Sequence, residues 1–214
     1  MPRKLNLAIF LSGSGTNMEA IAKNCQSGRI DAQVTVVVSN VPGAGGVGRA
    51  QRLGIPTLEI DHRNYRDRGT HEQALIQALA AFPVDVVVLA GYMRMVTPVL
   101  LERFYDHARR RPGVINIHPA DTRAYQGTHG YEFALGLAGG GTRLTETRIT
   151  IHFVDSGMDT GPIVLQRAVP VREDDTIDTL RARGLKVEYE VYSEAIQLLA
   201  EDRIQVTDGK VVIQ

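Results

Sequence analysis

The sequence predicts an α/β fold with a doubly wound, largely parallel sheet and an antiparallel extension in its C-terminal half. Short apolar runs of strand length alternate with helical patterns up to about residue 119. Such runs are apolar on both faces, as are strands that helices cover from both sides. This alternation favours parallel strands with right-handed crossovers. Two later strand patterns, joined by a turn-rich loop, indicate a hairpin that extends the sheet.

Strand patterns rich in Val, Leu and Ile dominate the first half, and they cover residues 5–11, 32–39, 57–60, 85–90 and 113–119. Helical spacing of apolar residues separates them at 18–24, 48–53, 70–81 and 98–107. Thr97 and Pro98 suit the N-cap and first position of the last of these helices. Thr16 and Asn17 are the expected capping residues of the first helix.

The second half begins with a short helical pattern at 131–137, followed by the strand patterns at 148–154 and 163–171. A long helix is predicted at 177–201, capped by Asp175 or Thr176 and interrupted at Gly184. Residues 203–206 and 210–213 flank an Asp-Gly pair and predict a terminal hairpin.

Composition excludes several classes of function. Lys and Arg together number 24, as do Asp and Glu, so the zero net charge argues against a general nucleic-acid or membrane-surface binder. Cys25 is the only cysteine, which excludes an intrachain disulfide and a four-cysteine metal site. No apolar run approaches the length that crosses a membrane. We expect a protein of the reducing cytoplasm that acts on small molecules.

A glycine-rich turn, Ser12-Gly13-Ser14-Gly15-Thr16-Asn17, lies between the first strand and the first helix. This arrangement places backbone N–H groups and a helix N-terminus around an anion, and glycine lets a phosphate approach the backbone. The turn lacks the Lys of a Walker loop and the third glycine of a dinucleotide site. A tight turn without a ligand is the alternative.

Two polar side chains interrupt the apolar strand Gly113-Val114-Ile115-Asn116-Ile117-His118-Pro119. Asn116 and His118 project to the same face because side chains alternate along a strand. An amide and an imidazole there can stabilise and protonate a developing oxyanion. The alternative is a pair that caps the strand end.

Two loops are candidates for the other walls of a site. Gly91 to Val96 leaves a buried strand, and its Met93 and Met95 suit a slot for a flat ligand. The alternative is a helix start that packs on the core. Asp155 and Asp159 lie in the hairpin loop, where they serve either as turn formers or as site residues. We expect the glycine turn, the Met93 loop and Asp159 to meet at one rim of the sheet.

Together these motifs resemble the folate-dependent formyltransferases, whose fold is Rossmann-like. The resemblance covers nearly the whole chain, and its specific parts are 12–17, 87–94, 116–119, His152-Phe153-Val154 and 158–162. It implies a single domain over 1–214, with a phosphate-binding half at 1–112 and a catalytic and folate-binding half at 113–214. It also implies 10-formyltetrahydrofolate as cosubstrate, no metal, no nucleic-acid or membrane partner, and a homodimer as one assembly that the family allows.

The resemblance implies a role for each matching residue. The catalytic residues would be Asn116, His118 and Asp159, with His152 in support. The ribosyl phosphate would bind at Gly15, Thr16 and Asn17, and Glu188 would contact the substrate. The folate would lie against Arg68, Met93, Arg94, Met95, Val96 and Asp155.

The implied reaction moves the formyl group of the folate to the amine of glycinamide ribonucleotide, in purine synthesis. Ala120-Asp121-Thr122-Arg123 replaces the family's usual Ser-Leu-Leu-Pro, and Leu185 replaces a frequent polar residue. Both departures fall on the acceptor side, so the amine stays open. The alternatives are a formyltetrahydrofolate hydrolase, which usually has an added N-terminal domain, transfer to another amine, and a non-enzymatic nucleotide-binding module. A formyltransferase acting on tRNA would be expected to have a further C-terminal domain.

Overall fold

The computed structural model describes residues 3–139 and 141–214. Its strands are β1 (Leu5–Leu11), β2 (Ala32–Ser39), β3 (Thr57–Glu59), β4 (Val86–Leu89), β5 (Val114–His118), β6 (Glu146–Phe153), β7 (Ile163–Pro170), β8 (Ile204–Thr207) and β9 (Lys210–Ile213). Its helices are α1 (Thr16–Gln26), α2 (Gly45–Arg52), α3 (Arg68–Leu79), α4 (Pro98–Arg103), α5 (Gly130–Ala134) and α6 (Ile177–Ala200), with a 3₁₀ helix at His62–Asn64.

Seven strands form one sheet in the order β3-β2-β1-β4-β5-β6-β7. The first five of these run parallel to their neighbours, whereas β6 is antiparallel to β5 and β7 is antiparallel to β6. The prediction of a doubly wound, largely parallel sheet with an antiparallel extension is therefore confirmed. β8 and β9 pair with each other as the predicted terminal hairpin.

The strand order creates a crevice above the centre of the sheet. From β1 the chain winds outward through β2 to β3, and it then returns to β4 on the opposite side of β1. Loops that leave β1 and β4 consequently diverge at their carboxyl ends. In open α/β sheets this switch point is where ligands bind.

Alternating residues of β1 supply the two cores of the molecule. Leu7, Ile9 and Leu11 face the larger apolar cluster, which contains α1, α2 and α6 side chains. Ala8 and Phe10 face the smaller cluster, which contains side chains of α3 and α4. Because helices cover both faces, the strand is apolar at every one of these positions, as the sequence indicated.

Gly15 has a packing role in the turn after β1. Its backbone is left-handed (φ 73°), and an added Cβ would lie 2.5 Å from the Cα of Gly46 in α2. The amide of Gly46 donates to the carbonyl of Gly13 at 2.9 Å. The expectation that Thr16 or Asn17 caps α1 is wrong, because Gly15 occupies the N-cap and contributes no side chain.

The predicted break at Gly184 is also wrong. α6 runs unbroken through this residue, and an added Cβ there would lie 2.1 Å from the hydroxyl oxygen of Tyr131. Glycine is required at this position by the close approach of α5 rather than by a bend in α6.

Thr176 caps α6 in a capping box with Thr179, and Thr97 caps α4, whose first residue is Pro98. Within the described residues, no helix is both long and apolar enough to cross a membrane.

Candidate active site

β5 and β6 bring three polar side chains together on one face of the sheet. Asn116 and His152 are directly opposite each other in the antiparallel register, and such residues share a face. The amide nitrogen Nδ2 of Asn116 lies 3.2 Å from Nε2 of His152. His118, two residues after Asn116, points to the same side. All three side chains contact the carboxylate of Asp159.

Asp159 lies at the centre of this cluster. Its Oδ2 accepts a hydrogen bond from the amide of Gly127 at 2.8 Å and lies 3.4 Å from Nδ1 of His118. Its Oδ1 lies 3.3 Å from Nδ2 of Asn116 and 3.4 Å from Nε2 of His152. The residue has a left-handed backbone (φ 52°), which turns the carboxylate into the site. Asp159 is thus more than a turn former.

The route by which Asp159 arrives differs from the prediction. β6 runs antiparallel to β5, so its last residue, Phe153, pairs with Ile115 near the beginning of β5. The strand therefore ends away from the rim where β1 and β4 end. The loop after Phe153 then turns back, and this return brings Asp159 to His118.

The hydrogen bonds of His118 determine which ring nitrogen faces the site. Nε2 lies 2.9 Å from the backbone carbonyl of Tyr125. A carbonyl oxygen only accepts hydrogen bonds, so Nε2 carries a hydrogen. In the neutral ring Nδ1, which faces Asp159, is consequently the unprotonated nitrogen. His118 is 3% exposed. Its position at the end of β5 and its contacts with Tyr125 and Asp159 hold the ring in place.

His152 is held in the complementary tautomer. Its Nδ1 donates to the carbonyl of Phe153 at 2.8 Å, which leaves Nε2 free to accept from the Asn116 amide. The side chain is buried. His152 thereby orients Asn116, and its supporting role in catalysis stays a prediction.

Burial and charge act in opposite directions on the two titratable groups in contact. Burial lowers the pKa of His118, although Asp159 and the Tyr125 carbonyl oppose this effect. Burial raises the pKa of Asp159, but the neighbouring His152 and His118 side chains and the hydrogen bond from the Gly127 amide outweigh it, and the pKa lies below its usual value. The favoured state is a neutral imidazole beside an ionised carboxylate. In this state Nδ1 of His118 can accept a proton.

Glu188 joins α6 to the glycine turn. It is buried, its Oε2 accepts from Nδ2 of Asn17 at 2.6 Å, and its Oε1 accepts a short hydrogen bond from the hydroxyl of Tyr131. The other amide atom of Asn17, Oδ1, is buried and has no hydrogen-bond partner among the described residues. Tyr131 was not predicted as a site residue, and only the glycine that faces it on α6 could have indicated it.

Ser12 links the glycine turn to the loop after β4. Its hydroxyl donates to Oδ1 of Asn40 at 2.6 Å and accepts from the amide of Met93 at 2.8 Å. Its own amide donates to the carbonyl of Gly91 at 3.0 Å. The glycine turn and the Met93 loop are therefore neighbours at the ends of β1 and β4, at one rim of the sheet as expected.

The remaining predicted residues lie on the loops after β4 and β6 and at the start of α3. Met93 is 68% exposed, Arg94 and Met95 are half-buried, and Val96 packs in the smaller core. Asp155 accepts from the amide of Gly157 and the hydroxyl of Thr160, so its carboxylate shapes the loop. Arg68 is exposed at the first position of α3. Their contacts with a folate stay predictions.

Comparison with known proteins decides the family. A sequence profile described as formyl transferase matches residues 5–196. The chain belongs to the formyl transferase family. In the part of it that the structure describes, no group of three or more His, Cys, Asp or Glu side chains is arranged to hold a metal ion.

Formyl transferase relatives match over almost the full chain. Phosphoribosylglycinamide formyltransferase of Bacillus subtilis is 35% identical over 194 residues, which cover 90% of this chain and 93% of that protein. The trifunctional purine biosynthetic protein adenosine-3 of Homo sapiens is 33% identical over 98% of this chain. The match covers 20% of the human protein, so the chain spans about a fifth of the trifunctional relatives.

Solved structures of the formyl transferase family agree with the fold. Glycinamide ribonucleotide transformylase 1 from Symbiobacterium toebii has a TM-score of 0.90 and 39% identity, with 100% of this chain and 95% of that chain covered. A formyltetrahydrofolate deformylase from Pseudomonas syringae has a TM-score of 0.84 and 26% identity, with 98% and 66% covered. The transformylase thus matches over a larger share of its own length than the deformylase.

Proposed function

We propose that this protein transfers the formyl group of 10-formyltetrahydrofolate to the amine of glycinamide ribonucleotide, in purine synthesis. The observation that carries the proposal is the cluster of buried His118 with half-buried Asn116 and Asp159, in which a neutral imidazole contacts an ionised carboxylate. Relatives named phosphoribosylglycinamide formyltransferase support it, because they match over most of both chains. A nucleotide-binding module has no need for such a cluster.

The proposed reaction forms one C–N bond and breaks another. The substrate amine attacks the formyl carbon, and the carbonyl electron pair moves to oxygen. Nδ2 of Asn116 donates to that oxyanion in exchange for its long contacts with His152 and Asp159, and such a donor typically contributes ~3–4 kcal/mol. The intermediate then releases the folate nitrogen and leaves formyl on the substrate amine.

A proton must move from the attacking nitrogen to the departing folate nitrogen. Nδ1 of His118 accepts it, because Nε2 already donates to the Tyr125 carbonyl. Asp159 stabilises the imidazolium as it forms, and the same nitrogen returns the proton to the folate. The products are a formylated amine and tetrahydrofolate, with no net proton taken from the enzyme.

Binding roles follow the family pattern. Backbone N–H groups of Gly15, Thr16 and Asn17, at the N-terminus of α1, suit the ribosyl phosphate. Glu188, held by Asn17 and Tyr131, contacts or orders the acceptor. We assign the folate to the half of the site between the loops at 93–96 and 155–159, with Arg68 at its edge. The proposed setting is the cytoplasm, with small molecules as the only substrates and no metal.

An acceptor-panel assay tests this function. Purified protein is mixed with 10-formyltetrahydrofolate and one amine at a time, and release of tetrahydrofolate is followed. We expect release with glycinamide ribonucleotide and none without an amine, and His118→Ala serves as the inactive control. Release in buffer alone would instead identify a hydrolase. Release only with a different amine would refute the proposed acceptor and keep formyl transfer.

A further inference from the structure

The segment between β5 and α5 contains a tight turn that begins at Asp121. The carbonyl of Asp121 accepts from the amides of Ala124 and Tyr125, each at 2.9 Å. Its carboxylate Oδ1 accepts from the amide of Arg123 at 3.1 Å. The turn therefore fixes where the backbone of Tyr125 lies, and the carbonyl of Tyr125 is the group bonded to His118.

Arg123 closes this turn and anchors it to the sheet. Its guanidinium donates to both carboxylate oxygens of Asp121, at 3.0 and 2.8 Å. Its Nη2 also donates to Oε1 of Gln166 on β7 at 3.1 Å. Such a paired fork fixes direction as well as distance. Arg123 thus ties the turn to the strand pair that also carries His152.

The anchor is completed by a hydrogen-bonded ring. Nε2 of Gln166 donates to the hydroxyl of Thr150 at 2.9 Å, and that hydroxyl donates to the carbonyl of Ala120 at 2.7 Å. Thr150 is the residue opposite His118 in the register of β5 and β6. The ring therefore joins the start of the turn to the strand position beside the catalytic imidazole.

The other end of the turn is held by an aromatic stack. The ring of Tyr125 lies 4.3 Å from the ring of Phe133, with an angle of 12° between their planes. Stacking at the C-terminal end and the polar ring at the N-terminal end leave the Tyr125 carbonyl little freedom. The proposed reaction needs this restraint, because the hydrogen bond at Nε2 selects Nδ1 as the proton acceptor.

We propose that Arg123, through the Asp121 turn, is a positioning residue that holds the Tyr125 carbonyl against Nε2 of His118. This role of Arg123 rests on the proposed function, in which Nδ1 of His118 accepts and returns the proton. No contact between Arg123 and either substrate is needed, and its guanidinium lies on the outer side of the turn. Loss of Arg123 would then loosen the hydrogen bond at Nε2 of His118, because the turn that positions the Tyr125 carbonyl is no longer held.

Loss of Arg123 should change the pH dependence of kcat in a specific way. The charged and titratable groups that face His118 are Asp159 from the returning loop and His152 from β6, and neither changes in an Arg123 variant. The Tyr125 carbonyl raises the pKa of His118, so loosening it lowers that pKa further. Arg123 holds the pKa of Asp121 at about 2, so their pair stays charged throughout the assay range.

The chain offers a matched control. Arg63 donates to Asp61 through its amide, Nε and Nη2 in the same spacing as Arg123 to Asp121. The two arginine side chains are also equally exposed, at 70% and 68%. Arg63→Ala therefore removes an equivalent surface pair without touching the turn before α5.

The test compares Arg123→Ala, Arg123→Lys and Arg63→Ala in steady-state kinetics from acid to neutral pH. We expect Arg123→Ala to lower kcat about tenfold, since small misplacements of catalytic groups are costly, with KM for both substrates within twofold. The acidic limb of the kcat pH profile of Arg123→Ala should move to lower pH. Lysine reaches Asp121 but cannot form the fork, so it should restore only part of kcat. Arg63→Ala should match the wild type.

Three results would overturn the inference. The first is an Arg123→Ala enzyme with unchanged kcat and an unchanged acidic limb of its pH profile. The second is an Arg123→Ala enzyme in which only KM rises, which would make Arg123 a substrate contact. The third is a loss of kcat in Arg63→Ala as large as that in Arg123→Ala. If Arg123→Ala does not fold, Asp121→Asn is measured instead, with the same expected limb shift. An active His118→Ala enzyme would refute the proposed chemistry, whereas an inactive one with normal Arg123→Ala refutes this inference alone.

Discussion

Replacing Asp159 with asparagine removes one charge and almost no volume. The asparagine carbonyl can still accept from the amide of Gly127, so the loop keeps its anchor. What is lost is the negative charge of the carboxylate, whose Oδ2 lies 3.4 Å from Nδ1 of His118. We expect the variant to fold and to bind both substrates, and to move the proton poorly.

The magnitude follows from the separation of the two charges. At 3.4 Å and an effective dielectric constant of about 20, two unit charges attract by ~5 kcal/mol. The carboxylate charge is shared between two oxygens, and only Oδ2 faces His118, while Oδ1 faces Asn116 and His152. About half of the attraction, ~2.5 kcal/mol, is then lost at the imidazolium, which corresponds to a fall in kcat of about 70-fold.

The assay is tetrahydrofolate release with glycinamide ribonucleotide as acceptor, measured from acid to neutral pH. Asp159 raises the pKa of His118, so its removal lowers that pKa. The proposed reaction requires the neutral ring, so we expect the acidic limb of the kcat pH profile to move to lower pH while the plateau falls. His152→Gln, which loses no facing carboxylate, is the comparison variant. A well-folded Asp159→Asn enzyme with wild-type kcat would refute this reasoning.

Three further expectations concern stability, measured by thermal or denaturant unfolding. Gly184→Ala should destabilise by ~1–3 kcal/mol because its Cβ would meet the Tyr131 hydroxyl. Gly48→Ala in α2, whose Cβ would make only an ordinary contact with Arg52, should stabilise by ~0.5–1 kcal/mol, and equal effects would contradict the packing assignment. Tyr131→Phe leaves an oxygen of a buried carboxylate without its donor and should cost ~1–3 kcal/mol, with a higher KM for the amine; a neutral result would mean that water replaces the hydroxyl. Hydrogen bonds from Arg183 lower the pKa of Asp175, so this carboxylate stabilises the fold above its ordinary pKa of about 4 and less as the pH falls below it. The difference in Tm between wild type and Asp175→Asn should therefore be constant above about pH 5 and shrink in acid, and a difference independent of pH would contradict this.

Local pattern was sufficient for the architecture. The runs that became β1, β2 and β4 are apolar on both faces because helices cover both sides of the sheet, and that requirement is visible in any short window. Thr97 before Pro98 and the Asp208-Gly209 pair were likewise read correctly, since caps and tight turns depend on neighbouring residues only. Asn116 and His118 were placed on one face because period two is a property of the single strand.

Local pattern failed where a distant element approaches. Gly184 indicates a break to a local reading, yet it is the position where Tyr131 from α5 touches α6. Gly15 was predicted to admit a phosphate, and the structure adds that it admits the backbone of Gly46. In both cases the reason for glycine is a contact between residues far apart in sequence.

The sequence by itself determined the kinds of side chain available to the site and their alternation along β5. The tertiary structure alone decided which groups surround Asn116 and His118. The antiparallel turn of the chain at β6 brings His152 opposite Asn116, the returning loop brings Asp159 to both, and the Asp121 turn aims a backbone carbonyl at Nε2 of His118. A hydrogen bond depends on positions within tenths of an ångström, and only the packed sheet and its loops fix positions that closely.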